Sequence, residues 1–91
     1  MKTNFQMVKE LNKKYDEMDH TNGIVTMKEI YLINEVLCLD EMDELQLRNL
    51  RDFIVLFFSR ETNEDRFEKM DKVSAFTCVI DNKLVNKGCE V

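Results

Sequence analysis

The chain has no proline and only two glycines, Gly23 and Gly88, in 91 residues. Sandwiches and barrels need many more turn residues, and long stretches without helix breakers favour an all-α fold. Tryptophan is absent. Histidine occurs once, as His20 in the polar stretch Asp19-His20-Thr21-Asn22-Gly23, with no serine or cysteine nucleophile at a recognisable spacing. That composition reads as a solvated turn, so no catalytic residue is assigned and no enzyme activity is expected.

Cysteine is equally sparse. Cys38, Cys78 and Cys89 are an odd number without a CxxC pair, which suggests neither a disulfide framework nor a zinc site. The first residues, MKTNFQMVKE, carry no apolar leader segment, and no apolar run approaches the ~20 residues of a membrane helix. The expected setting is a reducing cytoplasm, with the thiols free and acting as small core hydrophobes. Positive charge is in deficit, 13 Lys and Arg against 18 Asp and Glu for a formal net charge of −5. Electrostatically driven binding to nucleic acid is therefore not expected.

What is present is helical periodicity on a chain sized for one domain, taken as 1–91. Four helices are expected, over roughly 4–18, 27–38, 41–59 and 63–87. In the first, Phe5, Val8, Leu11, Tyr15 and Met18 recur at spacings of three and four. In the second, Thr26 and Glu29 form the S/T-x-x-E pattern of a capping box, and Ile30, Ile33 and Leu37 continue the stripe. The third opens on Asp40, Glu41, Asp43 and Glu44, acids that suit the positive end of a helix dipole, and continues through Leu47, Leu50, Ile54 and Phe57. The fourth is expected to start at a Thr62–Asp65 cap. It carries Phe67, Met70, Val73, Thr77, Ile80 and Leu84 on one face, surface pairs Asp65–Lys69 and Glu68–Lys72, and a left-handed cap at Gly88. A β-hairpin over 74–86 is the alternative for this last segment, because Phe76 to Ile80 is β-favouring. The expected core is Phe5, Val8, Leu11, Ile30, Ile33, Leu37, Leu47, Leu50, Ile54, Phe57, Met70, Val73, Ile80 and Leu84.

Two motifs bear on function. Met18 to Glu29 (MDHTNGIVTMKE) can be laid on an EF-hand loop with Gly23 at position six, Val25 at eight and Glu29 at twelve. Positions one and three are then Met18 and His20, where a hard cation needs carboxylate oxygens, so no metal or other cofactor is expected. The second motif is Phe53 to Phe58 (FIVLFF), six consecutive apolar residues that face every direction of a helix and demand cover on more than one side. A small bundle leaves some of them near the surface. Phe53, Val55, Leu56 and Phe58 are thus candidate partner-binding residues, flanked by Asp40, Glu41, Asp43 and Glu44 as a patch that would steer a basic partner surface. The expected function is a non-enzymatic protein-interaction module, an adaptor, regulator or inhibitor of a larger protein, with a homodimer expected. The alternative is an acidic mimic of nucleic acid that inhibits a DNA- or RNA-handling enzyme, of mobile-element type. The arginines Arg48, Arg51, Arg60 and Arg66 are interleaved with acids and make no basic recognition helix.

Overall fold

A computed structural model describes residues 2–18, 25–60 and 65–89. Among these, the regular elements are all helical: α1 (Asn4–Glu17), α2 (Met27–Leu37), a 3₁₀ turn (Leu39–Glu41), α3 (Glu44–Arg60) and α4 (Arg66–Asn86). The all-α fold expected from the scarcity of breakers is the fold observed. The hairpin alternative is not adopted, since 74–86 lies inside the unbroken α4.

Local chemistry explains where these helices begin and end. Thr3 caps α1 through its side chain, which accepts from the Gln6 backbone N–H, while Gln6 Oε1 accepts from the Thr3 N–H. Asp43 and Gln46 make the same reciprocal pair at the start of α3, with distances of 2.8 and 3.0 Å. This moves the start of the third helix from the expected 41 to Glu44, because Asp43 serves as the cap and Asp40 and Glu41 belong to the 3₁₀ turn. Asp65 stands at the N-cap of α4, later than the expected start at 63, and Thr62 lies outside the described residues. At the far end Gly88 has φ +83°. The Cys89 N–H donates to the Leu84 carbonyl and the Gly88 N–H to the Val85 carbonyl, each at 2.9 Å, which completes a Schellman cap.

The chain packs as two helical hairpins, α1 on α2 and α3 on α4, joined through contacts of α1 with α3 and of α2 with α4. The radius of gyration is 12.3 Å, the ~12 Å of a folded globule this long. Leu11, Ile33, Leu37, Leu39, Leu47, Leu50, Ile54, Ile80 and Leu84 are wholly enclosed. A chain of aromatic contacts links the hairpins: Phe58 lies 5.2 Å from Phe57 and 5.7 Å from Phe76, which meets Tyr15 edge-on at 5.2 Å.

The core differs from the expected one at identifiable places. Phe5 and Met70 are exposed, although the Phe5 ring rests edge-on against Phe57 at 5.8 Å. Ile30 and Val73 are only partly buried. On α4 the inward stripe is Lys72, Ala75, Phe76, Val79, Ile80 and Leu84, so the first turn, with Phe67, points away from the core. Lys72, expected to pair with Glu68 at the surface, is buried and bonds Asn12 at 2.8 Å and Asp16 at 2.6 Å on α1. Of the three thiols, Cys38 and Cys78 are exposed and only Cys89 packs against the core, so two of them are not core hydrophobes.

Candidate functional site

The six residues of FIVLFF divide among three environments. Ile54, Phe57 and Phe58 are buried, and Phe53 is half-buried against Phe57, with ring centroids 6.1 Å apart. Val55, at 46% exposure, and Leu56, at 50%, are the exposed members of the run. Phe58 therefore corrects the expectation made of it. At 1% exposure it is no surface contact but the packing link between α3 and α4. The run is covered because Phe57 meets Phe5 of α1, Phe58 meets Phe76 of α4 and Ile54 is enclosed in the core.

Beside Val55 the two helices leave a groove of about 500 Å³. Its lining is Val55, Phe58 and Ser59 from α3 and Arg66, Lys69, Met70, Val73 and Ser74 from α4. Phe58 forms the enclosed floor, while Met70 is 59% exposed at its edge, and Phe67, one turn earlier on α4, is 75% exposed. Among the described residues, the charges on the groove are both positive. Among the described residues neither Arg66 nor Lys69 has an ion-pair partner, so the expected Asp65–Lys69 pair is not formed.

The acidic candidates lie elsewhere. Glu44 begins α3 thirteen residues before Phe57, about 20 Å away along the helix. Asp40 is paired with Lys83 of α4, Asp43 is the helix cap, and Glu44 pairs with Arg48 at 3.0 Å. Glu41 lines a separate cleft with Met7, Leu32, Val36 and Met42, whose rim mixes Lys2, Lys14, Glu10 and Glu35. There the Glu10 carboxylate is held below its usual range, chiefly by its hydrogen bond from Lys2 at 2.6 Å. The structure thus does not bring the acidic and apolar candidates together into one patch, and it gives three of the four acids a partner within the chain.

The opening loop yields one unexpected site. His20 and residues 19–24 of the EF-hand comparison lie outside the described residues. Thr26 does cap α2, accepting from the Glu29 N–H at 3.3 Å, but Glu29 does not complete the capping box. Its carboxyl is turned into the core and fully buried, where Tyr15 donates its hydroxyl to Oε2 at 3.3 Å and Oε1 has no partner. Burial, and secondarily the Glu29 carboxylate, push the Tyr15 hydroxyl up to about 12. A carboxylate placed this way cannot serve at position twelve of a cation loop without leaving the core. Among the described residues no group of three or more His, Cys, Asp or Glu side chains converges as metal ligands. Likewise, none of their helices is long and apolar enough to cross a membrane.

The groove is only partly legible from sequence. The apolar run marks Val55, whereas local pattern assigns Lys69 to surface pairing and Met70 to the core, and gives Arg66 no role. Compared with known proteins, the chain matches no family model, no curated protein and no solved structure.

Proposed function

We propose that this protein acts without catalysis, as an interaction module that docks a larger protein on the groove between α3 and α4 and thereby adapts, regulates or inhibits it. The observation that carries this reading is the pairing of Val55 and Met70 as accessible apolar side chains on a groove floored by Phe58, with Phe67 exposed one turn earlier on α4. Apolar surface rimmed by charge is the usual composition of a recognition patch. A second copy of the chain is one partner that would suit an apolar face, and free, exposed thiols at Cys38 and Cys78 suit a reducing cytoplasm. The nucleic-acid-mimic reading draws no support from Asp40, Asp43 and Glu44, whose charges are engaged within the chain.

The test compares affinity capture from extracts of the source cell by the wild type, Val55→Asp and Met70→Asp. Leu45→Asp, at an exposed position on the other end of α3, is the control. A protein retained by the wild type and the control but lost from both groove variants supports docking. Identical captures by all four chains refute it.

A further inference from the structure

The charge on the groove specifies its occupant. The chain as a whole is acidic, at −5, yet among the described residues the only ionisable side chains lining the groove are Arg66 and Lys69. The nearest described acids of α4, Asp65 and Glu68, form no ion pair with either cation, and Asp71 acts on Tyr15. Arg66 and Lys69 are three residues apart, so their charged ends stand about one helical turn, ~5 Å, apart along α4. The α4 wall of the groove, from Arg66 to Ser74, spans nine residues and is about 12 Å long. That length matches two turns of a helix laid alongside, enough for two or three anchors at i, i+3 or i+4, and i+7.

We infer that the groove receives an amphipathic helix of a partner protein that sets apolar side chains against Val55, Met70 and Val73, above the floor made by Phe58, and carboxylates, one turn apart, against Arg66 and Lys69. This rests on the docking reading and names its partner. A second copy seated on the same groove would bring only Arg66 and Lys69 as ionisable groups from its described groove lining, so it would supply no carboxylate from that surface to either cation. The expected steering is therefore the reverse of that read from Asp40 to Glu44: the partner supplies the acid.

The experiment selects from a phage-displayed library of short amphipathic helices that are apolar on one face and carry Glu, Gln or Lys at random along its edges. Clones are kept when they bind the wild type and not Met70→Asp, a substitution at an exposed side chain. Glu is expected to dominate at the edge positions, and replacing it by Lys should weaken binding by at least about tenfold. The double variant Arg66→Glu, Lys69→Glu should invert the preference. Equal recovery of Glu and Lys, or a preference unmoved in the double variant, overturns the acidic occupant while leaving docking intact. Absence of any clone that discriminates the wild type from Met70→Asp removes the docking reading as well. A mass that doubles with concentration in the wild type but not in Met70→Asp assigns the groove to a second copy instead, and also overturns the inference.

Discussion

Replacing Glu29 by methionine should stabilise this protein, although glutamate at that position looks ideal from the sequence. The side chain is fully buried, Oε1 has no partner, and the single bond to Oε2, from Tyr15, is long at 3.3 Å. An unsatisfied buried polar atom costs about 1–3 kcal/mol, and more if it is charged. Methionine has nearly the same shape and removes that cost. Against this stand the lost Tyr15 bond, about 1 kcal/mol, and the lost acid in the first turn of α2, about 0.3–1 kcal/mol. The Thr26 cap survives, because it uses the Glu29 backbone N–H. The midpoints of these ranges balance to a gain of about 0.4 kcal/mol, more if the carboxyl is charged, which for a domain of this size raises Tm by about 2–3 °C. Urea denaturation of the wild type, Glu29→Met, Tyr15→Phe and the double variant would measure it. Tyr15→Phe should cost more in the wild type, where it strips the carboxyl of its donor, than in the Glu29→Met background, with a coupling of at least about 0.5 kcal/mol. A Glu29→Met protein less stable than the wild type by about 1 kcal/mol or more would refute the reasoning, by showing the carboxyl to be a net stabilising partner.

Tyr15 also sets a window of alkaline sensitivity. With its hydroxyl raised to about 12 in the folded chain against about 10 unfolded, the unfolded state ionises first, so its contribution is complete below pH 10 and lost as the pH rises to 12. Tyr15→Phe should flatten the fall of the urea midpoint across that interval, and an unchanged slope would exclude Tyr15 as its source. Phe58→Ala should cost about 3–5 kcal/mol at its enclosed site. Val55→Asp, on the accessible face, should cost less than about 1 kcal/mol, and the two thermal melts together separate floor from rim. Cys38 holds φ +53° at the end of α2 without being glycine, so Cys38→Gly should gain about 1 kcal/mol. Gly88→Ala should lose a similar amount through backbone strain alone, since a Cβ there meets nothing within 4 Å. Calorimetric melts of the two that shifted in the same direction would contradict the left-handed assignments.

Much of the architecture was written in local pattern. Helices over Asn4–Glu17 and Met27–Leu37 follow from residues three and four apart and from threonines that supply an acceptor to free backbone donors, and the Gly88 cap follows from its tolerance of positive φ. The S/T/D-x-x-E/Q pattern also lay at Thr3–Gln6 and Asp43–Gln46, and the latter would have placed the start of α3 at Glu44. The site was less legible. A continuous apolar run such as FIVLFF reports that several faces are covered without saying by what, so Val55 and Phe58 looked equivalent until α4 was seen to close over one of them.

The sequence by itself determined that the chain is helical, close to where the helices start and stop, and that one helix is too apolar to stand with a single buried face. These are effects of neighbours three or four residues away, where backbone geometry fixes who meets whom. Only the tertiary structure decided which side chains leave water. It drew Lys72 inward because Asn12 and Asp16 of another helix satisfy its charge, enclosed Glu29 beside a tyrosine fourteen residues earlier, and left Met70 and Phe67 uncovered. Burial depends on the placement of distant segments, and that placement made a cationic apolar groove in an acidic protein.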